Sequence, residues 1–509
     1  MKKLTLKQLE SFLCRKENYC LSDLQKERVK QSYEFLKTFS KDKVIYGINT
    51  GFGPMSQYKI SDRQVGELQY NLIRSHATGV GDPLEPVAVK AVMISRLNTL
   101  CLGFSGVSLT IVNTLQAFID NEIYPFIPKH GGVGASGDLV QLAHLGLALI
   151  GEGNVFYQGK EMAASAAIKK AGLKPAKLQL RDGLAIMNGT SCMSGIAVLN
   201  LIHSERIIHW AIQTASVMNE LTASYDDSFS KELNASKLHV GQQKVAELMR
   251  HCVKDGKVLK KRNEHLFNGD HIKGKEYFSE KVQEYYSLRC VPQVLGPVWD
   301  TWQQAKKIVE EEINSANDNP IICAKSQNVY HGGNFHGDYI AFEMDKLKIG
   351  ITKLSMLMER QINYLMNSKL NEKFPPFLNK LKLGFNFGLQ GLQFTAVSTT
   401  AENQTLSNPM YVHSIPNNGD NQDIVSMGTN AALMTQKVID NSFEVLAIQM
   451  ISIAQAMDLS DNFNKFSSAA KELYHFVREE VAVVEEDRSL SEEVMRLKDK
   501  ILQTKKELI

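Results

Sequence analysis

The sequence has no C-x-x-C pair, no internal repeat, no low-complexity stretch and no strong excess of one charge. Its seven cysteines, at 14, 20, 101, 192, 252, 290 and 323, are odd in number and lack zinc-ligand spacing. That argues against a disulfide framework or a zinc knuckle and for a reducing compartment. Lys and Arg total 58 against 55 Asp and Glu, a net charge of +3. So small an excess does not suit a protein that holds nucleic acid or a membrane surface by charge. The most apolar long stretch, Phe443 to Met457, contains Glu444, Gln449 and Gln455, and is too short and too polar to span a bilayer. The N-terminus is basic but has no uninterrupted apolar core and no small-residue cleavage site. No signal peptide is read there, and a cytoplasmic location is expected. The thirteen histidines show no H-x-x-x-H spacing, so no metal is expected.

What is present is ordinary globular material: 509 residues, 43% hydrophobic and 22% charged, enough for a large buried core. Helical signals dominate. Ser22 can cap a helix running to about Phe39, and further helices are expected over Gln64–Ser75, Val87–Leu102, Val107–Asn121 and Asp138–Ile150. Asn154–Met162, with Gln158-Gly159 at its middle, reads as a hairpin. Beyond Asn188 the apolar periodicity lengthens over 191–225, 278–315, 336–368, 388–406 and 423–458, the pattern of a bundle of rods. A charged helix, Ser489–Lys506, ends the chain. Lys254–Lys275, polar and dotted with glycine, reads as a surface loop or short arm. The expected fold is mostly α. Residues 1–200 form a mixed α/β region, and 201–509 form a long-helix bundle with C-terminal helices.

The densest glycine cluster is Gly131-Gly132-Val133-Gly134-Ala135-Ser136-Gly137-Asp138, directly before an apolar helix. An anion site is one reading. A phosphate loop would need a Gly-Lys-Ser/Thr ending, which is missing, and a dinucleotide turn would need a preceding strand, for which Ile127-Pro128-Lys129-His130 is a poor candidate. No nucleotide is expected. A second reading turns on the small residues Ala135-Ser136-Gly137. If the backbone is squeezed, the Gly137 amide nitrogen can reach the Ala135 carbonyl carbon. Ring closure and loss of two waters, one from the Ser136 hydroxyl, would leave an exocyclic methylidene, an electrophile made from backbone.

Other segments carry polar groups in loops or helix starts. Tyr46 in Ile45-Tyr46-Gly47-Ile48-Asn49-Thr50-Gly51-Phe52-Gly53 is either a half-buried ring beside a turn or a residue presented to a cavity. Asn188 before Gly189-Thr190 is a cap or turn residue by default. Helical spacing would place Gln283, Tyr286 and possibly Arg289 along one face, where the Arg289 fork could clasp a carboxylate. Asn334, in His331-Gly332-Gly333-Asn334-Phe335-His336, reads as a helix cap. Asn417–Asp423 reads as a capping loop feeding a helix Ile424–Met457.

The stretch GGVGASGDLVQLAHLGLALIGEG resembles the signature of the aromatic amino-acid ammonia-lyases, the histidine, phenylalanine and tyrosine enzymes. The family usually has Pro where this chain has Gln141. The resemblance extends from VIYGINTGFG at 44–53 to NQDIVSMG at 421–428, with motifs in the family's order. It implies the ammonia-lyase (fumarase/aspartase-like) architecture. It implies that Ala135, Ser136 and Gly137 mature to 4-methylideneimidazol-5-one (MIO), with no metal and no nucleotide. It implies that Tyr46 is the catalytic base, that Asn188 bonds the MIO carbonyl and the substrate amine, and that Tyr286 stands near the electrophile. Arg289 would hold the substrate carboxylate and Phe335 would pack beside the ring. Gln283, Asn418, Asn421 and Gln422 would complete the site. It further implies a homotetramer whose active sites are shared between chains, acting on a small aromatic amino acid without nucleic acid or membrane.

For the substrate, the motifs divide. In the family the pair matching Ser75-His76 reports on the side-chain pocket, and Ser-His occurs in histidine enzymes. Those enzymes carry Gln-Glu-Asp in the late loop, whereas Asn421-Gln422-Asp423 is the tyrosine and phenylalanine pattern. Met410-Tyr411-Val412-His413-Ser414 looks more like the tyrosine branch, and Asn418 stands where phenylalanine enzymes tend to have Glu. Over its whole length the chain is most similar to a group of bacterial tyrosine ammonia-lyases that retain Ser-His in the pocket. The expected reaction is therefore L-tyrosine to trans-4-coumarate. L-histidine to urocanate is the alternative, with an MIO-dependent aminomutase or a non-enzymatic helical scaffold behind it. A pyridoxal-phosphate lyase lacks its lysine and phosphate cup here, and an aspartase-type lyase lacks its Gly-Ser-Ser loop.

Overall fold

Capping chemistry marks where the first helices start. Ser22 accepts from the Gln25 backbone N–H while the Gln25 side chain returns to Ser22, and the helix Asp23–Phe39 follows. Thr5 and Gln8 repeat the device before Leu6–Leu13. The other expected N-terminal helices appear within one or two residues, as Val65–His76, Pro86–Leu100, Leu109–Asp120 and Leu139–Leu149. The hairpin pairs Asn154–Tyr157 with Lys160–Ala163, and Gln158 and Gly159 both take positive φ, the pair of conformations a two-residue turn requires. In this computed structural model, residues 3–267, 273–274, 276–278 and 281–505 are described. The Lys254–Lys275 arm therefore falls partly outside the described residues; within it Arg262–His265 forms one short helical turn.

Two compact units make up the chain. The first gathers Met1–Ile202, Ala305–Asp345 and Pro409–Gln436. It contains three small antiparallel sheets. Val80–Pro83 pairs with Pro128–His130, Tyr124–Pro125 joins the hairpin as a third strand, and Ile321–Cys323 pairs with Asn328–Tyr330. The strand Pro128–His130 corrects the expectation that this segment makes no strand. It is an antiparallel edge, where a proline costs no ladder bond, and not the parallel strand of a dinucleotide fold.

The second unit gathers His203–Gln304, Lys346–Asn408 and Lys437–Ile509, and every strand among the described residues lies outside it. The rods are long: Ser191–Leu221 and Gly428–Asp458 have 31 residues each, Asp338–Met366 has 29 and Val291–Ile313 has 23. At about 1.5 Å per residue the longest reach about 45 Å. Gly428–Asp458 begins four residues later than expected, because Val425 and Met427 are spent on a buried contact with Ala135. Among the described residues no helix is long and apolar enough to cross a membrane.

One buried carboxyl in the second unit ties two helices together. Glu220, near the end of Ser191–Leu221, accepts from the Ser467 backbone N–H at 3.0 Å and from its hydroxyl at 2.6 Å, at the start of Ser468–Arg478. Burial pushes this carboxyl from the ordinary value near 4.5 up to about 7, against the pull of the Ser467 bonds. The folded chain therefore keeps a proton that the unfolded chain gives up across that interval. Stability contributed here falls as pH rises through it, by at most about 1.4 kcal/mol per pH unit. Glu220→Gln removes the titration at nearly constant shape. In urea titrations at a series of pH values, the variant should gain on the wild type between pH 4.5 and 7 and run parallel to it above. A wild type that gains on the variant over that interval would contradict the assignment.

Candidate active site

The glycine cluster is folded around one contact. A Cβ on Gly137 would lie 2.1 Å from the Gly189 carbonyl oxygen, so only glycine fits, and Gly137 takes φ +69°. The Asp138 N–H donates to that same oxygen at 2.8 Å. Asp138 itself is fully buried. One carboxylate oxygen accepts from the backbone N–H groups of Cys192 and Met193 at 2.8 and 2.9 Å, at the start of the Ser191 helix, and the other accepts from the Thr429 hydroxyl. This is an anion on a helix N-terminus. Burial raises its pKa to about 6 against the pull of these bonds and of Arg96.

Around Ser136 the expected partners converge. Asn188 ends the short helix Asp182–Met187, and its Nδ2 donates to the Ser136 carbonyl oxygen at 3.2 Å. Gln422 Nε2 donates to the Ser136 hydroxyl at 2.9 Å. Ala135 is buried against Val425 and Met427. The Gln422 loop is closed on itself by Asn417–Gln422 backbone bonds, with Asn418, Gly419 and Asp420 all at positive φ. Asn421 on that loop is exposed, and its N–H donates to the Asn418 carbonyl. The Asn418 amide lies against Gly53, where a Cβ would come within 2.8 Å of its nitrogen. Gly53 N–H in turn donates to the Tyr46 hydroxyl at 3.1 Å, and Phe52 meets the Tyr46 ring edge-to-face at 6.0 Å. Tyr46 is half-buried, and its hydroxyl meets Gly53, which lies beside Asn418 of the loop that carries Gln422. Phe335 is partly buried, two residues before Gly337, whose N–H donates to the Gly134 carbonyl.

Ser75 and His76 end the helix Val65–His76. His76 Nδ1 lies 2.9 Å from the Leu72 carbonyl and 3.0 Å from the Ser75 hydroxyl, contacts made within its own helix.

Gln283, Tyr286 and Arg289 belong to the second unit. The expected shared helix face is corrected. Only Tyr286–Arg289 is helical, one turn long, and Gln283 precedes it in a bend. Arg289 is held by Nε donating to the Glu284 carbonyl at 2.9 Å, with its guanidinium 4.6 Å over the Tyr286 ring. All three line a cavity of about 620 Å³ with Arg360, Asn363 and Tyr364. Asn334 is not a helix cap either. The long helix starts at Asp338, and the Asn334 amide donates to the Ala316 carbonyl.

Several residues that build this site escaped the sequence reading. Arg96, 1% exposed, donates to the carbonyls of Ala185 and Asn188 and to the Asn317 side chain. Burial lowers its pKa to about 10, which leaves it charged at neutral pH. Arg181 pairs with Asp318, both essentially unexposed. The only advance sign of these was the polar run Asn317-Asp318-Asn319 before Pro320. Gln141, the departure from the family's Pro, is buried and sets its amide against Gly132 and the Lys129 carbonyl.

The chain matches the aromatic amino acid lyase family over residues 4–479. The chain belongs to this family. The lyase is 38% identical to the histidine ammonia-lyase of Bacillus cytotoxicus over 492 residues, 96% of this chain and 94% of that protein. It is 39% identical to the histidine ammonia-lyase of Bacillus subtilis over 484 residues, 95% of this chain and 92% of that protein. Its structure aligns with Pantoea agglomerans phenylalanine aminomutase at a TM-score of 0.96 and 32% identity, covering 99% of this chain and 98% of the other. The lyase is accordingly an enzyme of the MIO-dependent carbon–nitrogen lyase and aminomutase class, acting on an aromatic amino acid. The expectation of a tyrosine ammonia-lyase is overturned. Histidine ammonia-lyases match along nearly the whole chain, and this outweighs the short motifs at 410–414 and 418–423.

The residues present fit the MIO group. Gly137 is held where only glycine can stand, Ala135 is buried beside it, and Ser136 meets an amide at both its carbonyl and its hydroxyl. Among the described residues, no group of three or more His, Cys, Asp or Glu gathers as metal ligands. Active lyase should show an intact mass below the encoded mass by two waters. Ser136→Ala should fold, keep the encoded mass and lose nearly all turnover. Fully active protein at the encoded mass would refute the assignment.

Proposed function

We propose that this lyase eliminates ammonia from L-histidine to give urocanate. The observation that carries the reading is the 38–39% identity to two histidine ammonia-lyases over at least 95% of the chain. Ser75-His76 supports it, since an imidazole there can pair with the ring N–H of the substrate. The MIO group supplies an electrophile that makes nitrogen a better leaving group. The chain's own residues do the rest. Tyr46 takes the β-proton, held in place by the Gly53 N–H. Asn188 donates to the Ser136 carbonyl, and Arg289 offers its fork to the substrate carboxylate. Tyr286 and Phe335 supply aromatic walls, and Gln283, Asn418 and Asn421 frame the ends of the site. Gln422 differs from the Glu of the histidine enzymes. Before the ring forms, a neutral amide there donates to the Ser136 hydroxyl, which a carboxylate could not do.

A second reading has its own support in the likeness to an aminomutase at TM-score 0.96. It predicts a β-amino acid product.

A homotetramer with shared sites is part of the proposal. Tyr46, Asn188 and Ser136 belong to one unit and Tyr286 and Arg289 to the other. Phe394 and Val397 stand 65% and 45% exposed on Gln390–Leu406, apolar area that another chain could cover. A cytoplasmic location agrees with seven free cysteines.

Purified enzyme should show a higher kcat/KM for urocanate formation from L-histidine than for coumarate or cinnamate formation, and should form no β-amino acid. The opposite ranking, or accumulation of a β-amino acid, overturns the reading. His76→Phe leaves the substrate ring N–H unpaired, a cost of about 1–3 kcal/mol, and should lower kcat/KM for histidine by roughly 5- to 150-fold. In sedimentation, a fully active monomer would refute the shared-site assembly.

A further inference from the structure

The donor that faces the Ser136 carbonyl is an amide, and an amide can flip. Asn188 works as a donor to Ser136 only if its oxygen points the other way. The structure shows what holds it. The Asn319 backbone N–H donates to Asn188 Oδ1 at 2.8 Å. A backbone N–H cannot accept, so this bond decides the orientation and leaves Nδ2 for Ser136. The position of that N–H is set in turn by a buried ion pair. Asp318 Oδ1 accepts from the same N–H at 2.6 Å, and both Asp318 oxygens take the Arg181 fork, at 3.0 and 3.2 Å. Arg181 Nη2 also donates to the Asn319 carbonyl at 2.9 Å, so the fork holds the peptide after Asn319 directly and the one before it through Asp318. On the far side, Gly332 N–H donates to the Asn319 side chain at 2.8 Å.

We propose that Asp318, locked by Arg181, is a positioning residue. It fixes the Asn319 N–H so that the Asn188 amide presents its nitrogen to the carbonyl of Ser136. The pair is 0% and 2% exposed. Two charges removed from water gain little net stability, since desolvation offsets their attraction. What they provide here is direction: a bidentate fork has one geometry, and the peptide it grips has one as well. Negative charge that builds on the Ser136 oxygen in the matured ring then meets a donor already aimed at it. The inference rests on the Asn188 role given above and is independent of which aromatic amino acid is used.

The test uses the full-length matured enzyme, with intact mass confirming loss of two waters in every variant. The near-UV band of the substrate-free protein reports hydrogen bonding at the ring carbonyl. Asp318→Asn keeps the side chain's shape but weakens the grip of the fork. It should shift that band in the same direction as Asn188→Ser and lower kcat roughly tenfold with little change in KM. The double variant should show no further shift and no further loss, because both changes act on one amide. A lower melting temperature with band and kcat unchanged would mean a structural role only and overturn the proposal. Effects that multiply in the double variant would overturn it too. Should Asp318→Asn fail to fold or mature, Arg181→Lys, which keeps the charge and loses the fork, goes through the same cycle under the same criteria. The band is read without substrate, so a wrong substrate assignment leaves this result untouched.

Discussion

The site depends on one buried anion. Asp138 follows the triplet directly, and its carboxylate takes two N–H groups from the first turn of the Ser191 helix and the Thr429 hydroxyl from the first turn of the Gly428 helix. Three separate stretches of chain therefore meet at two oxygen atoms. The positive ends of two 31-residue helices supply the counter-field for a charge with no contact with water. Burial still raises the pKa to about 6, so the bonds compensate the lost hydration only in part. The group is retained at a cost, and in return the backbone just before it cannot slide. Gly137, pressed on Gly189, has no room to move in any case.

A second layer holds the partners of the triplet as Asp138 holds the triplet. Arg96 grips the carbonyls of Ala185 and Asn188 and the side chain of Asn317, and Asn317 reaches on to Thr190 at 2.8 Å. The two residues that follow Asn188, Gly189 and Thr190, are thus fixed as firmly as Asn188 is. A Cβ on Gly189 would come within 2.3 Å of the Arg96 guanidinium, so the glycine makes room for the cation that secures its neighbour. The geometry for an electrophile made from backbone is supplied by polar groups that touch only other protein groups.

Much of this fold could be read from the sequence, because helix starts and turns are local. Ser22 with Gln25 and the Gln158-Gly159 turn are encoded within four residues, and they appear where expected. The triplet and its glycines were legible for the same reason. The second layer was not. Arg96, Arg181 and Asp318 are charged residues whose partners lie about 75 to 220 residues away in sequence, and a charged residue read alone belongs on a surface. Gln283, Tyr286 and Arg289 were misplaced for a related reason. Their spacing suits a helix face, but the chain turns only once there before a new helix begins at Val291.

The expected tyrosine preference rests on the late loop and on a whole-length resemblance, and the identity to histidine ammonia-lyases overturns both. Asn418, Asn421 and Gln422 sit on a loop with three successive residues at positive φ, mostly exposed. Exposed loops tolerate change with little effect on the fold. Gln422 illustrates this. It reaches Ser136 through a side-chain amide, and a change at that one position alters a contact without moving any helix. His76 is different: its Nδ1 meets the Leu72 carbonyl and the Ser75 hydroxyl of its own helix, so the orientation of its ring follows from the helix geometry itself. Of the two signals, the one built into a helix end agrees with the similarity that spans the chain. The loop signal, held by a few exposed turns, does not.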